Sequence, residues 1–381
     1  MPVEQILTNA RIVTAEQEFV GTLVLRDGLI AQVEEGVSGL PQAQNLNGDY
    51  LLPGLVELHT DNLEKYMSPR PGVDWPSASA VLTHDAQIAS AGITTVFDAL
   101  AIGDVNPRGK RMQQLPAMLE AIASAAAAGH MRADHRLHLR CEVCHPETLA
   151  VFRDLVEHPL VQLVSVMDHA PGQRQFAKED KYREYYMGKY HLSEAEMEAF
   201  IVEQVGNSRQ YSDRQRRSIV ADCQARGISV ASHDDATLAH VQESASFGMS
   251  IAEFPTTLAA AKASHELGLK VLMGAPNIVR GGSHSGNIAA AELARHGVLD
   301  ILSSDYYPAS LLQAALLLAG QDNGYDLPRA IATVSRVPAQ AAGLHDRGEI
   351  RVGLRADLVQ AQVHGGQAVI QQVWRQAKRV F

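Results

Sequence analysis

The chain has 381 residues, with 33 Lys and Arg against 43 Asp and Glu and a net charge of −10. That acidity excludes a general nucleic-acid binder, which needs a basic face, and no apolar run approaches the roughly 18 residues that span a bilayer. The start MPVEQILTNARIV lacks the basic, apolar and small-residue segments of a signal peptide, and three cysteines make no disulfide framework, so a cytoplasmic protein is expected.

The first fifty residues read as short strands at 6–14, 21–25 and 29–33, the last two flanking a turn signal at Arg26-Asp27-Gly28. β-rich runs then alternate with helical ones. The strands are expected at 51–58, 93–99, 136–142, 161–168, 228–232, 250–254, 270–274 and 299–304, and the helices include 115–128, 212–226, 258–267 and 309–319. Eight such strands are what a closed (β/α)8 TIM barrel needs. The end of the chain returns to β pattern at 353–363 and 368–381 around Gly365-Gly366. The expected architecture is a (β/α)8 barrel over 53–345 and a small β-sandwich built from both chain ends, 1–52 plus 346–381. An open doubly wound sheet is the runner-up, but no Gly-x-Gly-x-x-Gly follows the early strands.

Ionisable residues cluster where these strands end: His59-Thr60-Asp61, Cys141-Glu142, Asp168-His169, His233-Asp234-Asp235 and Asp305. Barrel active sites sit at the carboxyl ends of strands, and imidazole with carboxylate suits a buried divalent cation. His59 and Asp61 are two apart in extended chain, so their side chains leave one face.

Leu52-Pro53-Gly54-Leu55-Val56-Glu57-Leu58-His59 resembles the opening metal motif of the amidohydrolase superfamily, and Gly353-Leu354-Arg355-Ala356-Asp357-Leu358-Val359 resembles the strand that rejoins its small sandwich. Further stretches, among them His59-Thr60-Asp61-Asn62-Leu63-Glu64-Lys65, Met167-Asp168-His169-Ala170-Pro171-Gly172 and Ser303-Ser304-Asp305-Tyr306-Tyr307-Pro308, resemble a branch that hydrolyses a ribose 5-triphosphate in phosphonate catabolism. The resemblance runs from about residue 5 to the C-terminus and implies a distorted barrel holding one or two divalent cations, zinc first, with manganese or iron as the other candidates. It implies His59, Asp61, Glu142, His169, His233 and Asp305 as ligands, with Asp305 as the catalytic residue that orients water and passes its proton to the leaving group. The usual opening His-x-His is here His59-x-Asp61, and the usual bridging carboxylated lysine has no obvious counterpart, which leaves Glu142 as the candidate for that role. The two histidines stand on strands four and five of this count, where the superfamily places them on five and six.

Attack on the α-phosphorus of a triphosphate would release pyrophosphate, whose charge the protein must neutralise. Lys65, Arg70, Arg140, Arg174, Arg280 and His284 are the candidate substrate clamps, and Gly281-Gly282-Ser283-His284-Ser285-Gly286 offers unobstructed backbone N–H groups. The basic and aromatic stretch 178–204 is longer than a barrel connection needs, and is read as a lid, with a solvated helical insertion or a subunit contact as the alternatives. His138, Arg140, Asp98 and Asp168 are candidate supporting residues for the ligands. Cys141-x-x-Cys144 has no second cysteine pair to complete a structural zinc site. A small-molecule substrate, no nucleic-acid or membrane partner, and a homo-oligomer are expected. A C–N hydrolase or deaminase acting on a small cyclic substrate is the competing activity; a non-catalytic scaffold of the same fold is the other alternative.

Overall fold

A computed structural model describes residues 4–105, 109–176, 179–190, 192–283, 286–320 and 323–381. Among the described residues five strands come first: β1 (Glu4–Val13), β2 (Glu18–Arg26), β3 (Leu29–Glu35), β4 (Gln44–Asn45) and β5 (Tyr50–Pro53). Eight follow in alternation with helices: β6 (Leu55–Thr60), β7 (Ile93–Ile102), β8 (Asp134–Glu142), β9 (Val161–Met167), β10 (Ser229–His233), β11 (Ile251–Glu253), β12 (Lys270–Gly274) and β13 (Ile301–Ser303). Three close it: β14 (Leu358–His364), β15 (Gln367–Arg375) and β16 (Lys378–Arg379). As expected, this is a (β/α)8 barrel with a second sheet from both chain ends, distorted where β11 and β13 shrink to three residues each.

The chain forms two compact units. The first contains Met1–Asp98, Ala121–Arg136 and Met273–Phe381; the second contains Ala99–Glu120 and Leu137–Leu272. In the first, the terminal sheet runs β16-β15-β14-β5-β1-β2-β3, with β4 beside β1. Both hairpin turns anticipated from sequence hold two successive left-handed residues, Asp27 (φ 52°) with Gly28 (φ 83°) and Gly365 (φ 56°) with Gly366 (φ 80°). That geometry matches the natural twist of the flanking strands and suits Asp and Gly. The sheet bends until Ile30, Gly28 and Ala377 all hydrogen-bond the segment around Leu354–Ala356. Leu7, Ile12, Leu23, Leu25, Leu51, Leu358 and Trp374 fill its interior. Burying each such side chain contributes on the order of 1.5–3 kcal/mol.

The apolar run 51–58, expected as one strand, is two. Leu51 and Leu52 pair with Gln360 and Val359 of the terminal sheet, whereas β6 pairs in parallel with β7. Gly54 marks the break: a Cβ there would lie 2.3 Å from the Thr94 hydroxyl, so only glycine lets the chain pass between the two sheets. Apart from β7, β6 also meets the far end of the barrel, where Thr60 bridges in parallel to Asp305 just beyond β13. In the second unit β8 to β12 lie side by side in chain order, all parallel.

The stretch 178–204 forms the helices Glu179–Tyr190 and Glu194–Asn207, the second opened by a capping box in which Ser193 and Glu196 bond each other's backbone N–H. Phe176, Tyr182, Tyr186, Met197, Phe200 and Ile201 give it a hydrophobic core of its own. Among the described residues no helix is long and apolar enough to cross a membrane.

Candidate metal centre

The polar strand ends of the second unit converge. His169 follows β9 by two residues and His233 ends β10, so they close the fourth and fifth barrel strands, as counted from sequence. His169 Nδ1 lies 2.5 Å from Glu142 Oε2, and its backbone N–H donates to Glu142 Oε1 at 3.0 Å. His233 and Glu253 are register partners across β10 and β11, which sets His233 Nδ1 3.1 Å from Glu253 Oε2. Each ring therefore has one nitrogen held by a buried carboxylate and turns the other to Asp234. His169 Nε2 and His233 Nε2 stand 3.5 and 3.6 Å from the same atom, Asp234 Oδ2.

Those two distances exceed good hydrogen bonds. They suit a shared cation: two ligands about 2.0 Å from a tetrahedral ion lie about 3.3 Å apart. Carboxylates that fix the remote imidazole nitrogen are the usual support of metal-binding histidines. His169, His233 and Asp234 each offer a ligand atom within 4.8 Å of the others, and all three are largely enclosed. The donor set fits a divalent cation of the zinc type.

Charge at the site follows from this packing. Burial disfavours the His169 imidazolium, but Glu142 and Asp234 raise its pKa to about 10. Burial likewise opposes ionisation of Asp234, yet His233, His169 and Arg140 hold its carboxyl below the ordinary range. Glu142 shows the same balance: burial pushes it up, and the His169 ring and amide with the Cys144 thiol bring it below its usual value. A cation would replace the proton that His169 turns towards Asp234, and its binding would release that proton. Arg140, on the same strand face as Glu142, has a buried Nε with no hydrogen-bond partner among the described residues, a donor suited to an anion. Arg174 is buried and engaged otherwise, bound to Asp235 and, at 2.9 Å, to Glu243.

In the first unit, a carboxylate ties the first barrel strand to the last. Glu57 accepts the His59 N–H at 2.6 Å and the Ser304 N–H at 2.5 Å, and the Ser303 hydroxyl lies 2.8 Å from it. The Asp305 N–H donates to the His59 carbonyl at 3.1 Å, and the Thr60 hydroxyl donates to the Asp305 carbonyl at 2.7 Å. These bonds fix His59 and Asp305 beside each other at adjacent strand ends. Burial raises the Glu57 carboxyl to about 7 against those hydrogen bonds. Asp61 is half-buried, Lys65, Arg70 and Arg280 are exposed, and His284 lies outside the described residues.

Sequence reading passed over Asp234 and Glu253 as ligands or supports. Strict alternation would send Asp234 to the face opposite His233, but Asp234 is left-handed (φ 57°), and so are Phe254 (φ 52°) and Asp305 (φ 54°) after their strands. That local turn re-aims the side chain and is invisible to a period-two pattern. Glu253 ends a three-residue strand with little pattern of its own.

Residues 42–362 match the model described as Amidohydrolase family. The chain is 55% identical over 377 residues to the alpha-D-ribose 1-methylphosphonate 5-triphosphate diphosphatase of Escherichia coli (strain K12), covering 99% of this chain and 100% of that protein. Among solved structures it is similar to 5-methylcytosine deaminase from Klebsiella pneumoniae (TM-score 0.65, 17% identity, 99% of this chain and 97% of that one). It is also similar to N-acetylglucosamine-6-phosphate deacetylase from Pasteurella multocida (TM-score 0.61, 13% identity, 99% of each chain). At such identities these two establish the fold alone. The family model and the full-length relative carry the assignment further: the chain belongs to the amidohydrolase family.

Proposed function

We propose that the protein is a metal-dependent diphosphatase that hydrolyses alpha-D-ribose 1-methylphosphonate 5-triphosphate to the 5-phosphate and pyrophosphate in phosphonate catabolism. The observation that carries this reading is the 55% identity, along 99% of the chain, to the Escherichia coli enzyme of that name. The His169, His233 and Asp234 cluster supports it, because hydrolysis of a phosphoanhydride by this kind of barrel needs an enclosed cation site. Zinc is the proposed metal, given a donor set of imidazole and carboxylate. When bound, it lowers the pKa of water and offsets charge on the phosphoryl oxygens.

His169, His233 and Asp234 would hold the cation, with Glu142 and Glu253 orienting the rings. His59, Asp61 and Asp305 are proposed as further metal ligands. Asp305, fixed at the end of its strand by the His59 carbonyl and Thr60, is the proposed carrier of the proton from water to the departing pyrophosphate. Water adds to the α-phosphorus, the bond from that phosphorus to the bridging oxygen breaks, and pyrophosphate leaves with the electron pair. Lys65, Arg70, Arg140, Arg280 and His284 are the proposed phosphate contacts; Arg174, already paired with two carboxylates, contributes by holding the loop after β9. Residues 1–52 plus 346–381 are proposed as a small β domain and 53–345 as the catalytic barrel. A cytoplasmic homo-oligomer with no nucleic-acid or membrane partner completes the proposal; its three buried cysteines need no disulfide.

Phosphorus NMR of zinc-reconstituted protein with the ribose triphosphate tests the activity. Pyrophosphate and a 5-phosphate product are expected. Orthophosphate release with a 5-diphosphate product, or no phosphorus chemistry beside ammonia release from a cyclic amide or amine, would overturn it.

A further inference from the structure

We propose that Asn62 and His84 are positioning residues that hold the Lys65 ammonium as an anion subsite, anchored by the buried chain Asp98–His135–Asp85. This inference rests on the reading of the substrate as a triphosphate and adds the machinery behind one of its contacts.

The chain crosses four elements: the segment after β6, the helix Ser77–Ser90, and strands β7 and β8. Asn62, His84, Asp85, Asp98 and His135 are each at most 2% exposed. Their proton positions follow from chemistry. Asp98 accepts from two rings, His84 Nε2 and His135 Nδ1, both at 2.7 Å, and His135 Nε2 donates to Asp85 at 3.2 Å. Asp85 is further held by the backbone N–H groups of Arg132 and Ala133, at 2.9 Å each. With its Nε2 proton donated to Asp98, His84 receives the Asn62 amide on Nδ1, which lies 3.0 Å from Asn62 Nδ2. The second Asn62 amide proton goes to Gln87 Oε1 at 2.7 Å, which also accepts the Tyr66 hydroxyl at 2.9 Å.

Both donors of Asn62 therefore point inward, and its oxygen must face out. Oδ1 lies 3.3 Å from Lys65 Nζ, which also donates to the Tyr306 carbonyl. An ammonium carries three N–H groups, so two anchor it and one is left for a phosphate oxygen. Lysine is normally a flexible point charge; anchoring it removes rotamer freedom before a polyanion arrives. Lys65 itself is exposed, so this interior network ends at a surface charge, four residues after Asp61.

The test is a double-mutant cycle on the zinc-loaded protein with Asn62→Ala, Lys65→Ala and the pair, read by calorimetric binding of inorganic tripolyphosphate and by kcat and KM. Each single change is expected to weaken tripolyphosphate binding about tenfold, the worth of one charge-assisted hydrogen bond, and the pair no more than Lys65→Ala alone. KM should rise with kcat nearly unchanged. His84→Gln, which can donate to Asp98 and accept from Asn62, should restore binding that His84→Leu loses. Multiplicative effects in the cycle, or unchanged binding in Asn62→Ala, would overturn the relay even if pyrophosphate is released. Absence of pyrophosphate release by the wild type, with the calorimetric cycle intact, would instead count against the function and leave the relay standing.

Discussion

His135 lies between two buried carboxylates, Asp98 and Asp85. Burial lowers its pKa, but Asp98 and Asp85 raise it from 6.5 to about 9, while Asp98 is drawn below the ordinary carboxylate range against its own burial. A raised histidine pKa contributes stability that is complete below 6.5 and lost as pH rises through about 9; the lowered Asp98 contributes stability present above 3.8 and lost on acidification. The gap in urea midpoint between wild type and His135→Asn should therefore be steady from pH 5 to about 6.5 and shrink towards pH 9. A gap independent of pH would show that His135 is not charged. At the candidate centre, Glu142→Gln or Glu253→Gln should weaken zinc affinity about 10–100-fold, measured by competition with a chromogenic chelator, because each removes the carboxylate that orients a ligand ring. Asp305→Asn should lower kcat about 10²–10⁴-fold with little change in KM if it transfers the proton. These residues were unequally legible. His59, His169 and His233 announce themselves at strand ends, but Asp85, His84 and His135 are scattered along a helix and a strand start, and only folding turns them into a network.

At the scale of elements, the two-helix stretch after β9 shows how local and tertiary signals divide. Its second helix is written in the sequence: Ser193 caps, Glu196 reciprocates, and Met197, Phe200, Ile201 and Gln204 recur on one buried face. Ser193→Ala should cost about 1 kcal/mol in chemical denaturation, the typical worth of an N-cap. Tyr182 tells the opposite story. Its ring is fully enclosed against Phe176, Tyr186 and Phe200, and its buried hydroxyl has no partner among the described residues. A stranded polar group costs about 1–3 kcal/mol, so Tyr182→Phe should leave stability unchanged or raise it, read by the same denaturation curves. Basic and aromatic content alone favoured a lid; in the fold much of that aromatic content is core, and Phe176 sets its ring 6.2 Å from that of His169. Helix periodicity was readable in advance, whereas what each face would be buried against was not. The same holds for 51–58, where hydrophobicity predicted one strand and the close approach at Gly54 made two.

For the whole molecule, a bound cation should act as a stabiliser. A ligand that binds only the folded state adds about 2.7 kcal/mol when present at 100 times its dissociation constant. Chelator treatment should therefore lower Tm together with activity, and zinc should restore both; loss of activity without a Tm shift would place the metal outside the folded core. Net charge of −10 describes the whole surface, but the proposed substrate would meet only the few basic residues proposed as its contacts. By itself the sequence determined the order and kind of the elements, the two hairpin turns, the barrel count and the histidines at strand ends, because these depend on local backbone preference and on periods of two and 3.6 residues. The tertiary structure alone decided that Asp234 joins the two histidines, that Glu253 and Glu142 orient them, and that Arg174 is taken up by carboxylates. Those outcomes depend on strand register, on left-handed residues at strand ends and on contacts between residues dozens of positions apart, none of which a local pattern encodes.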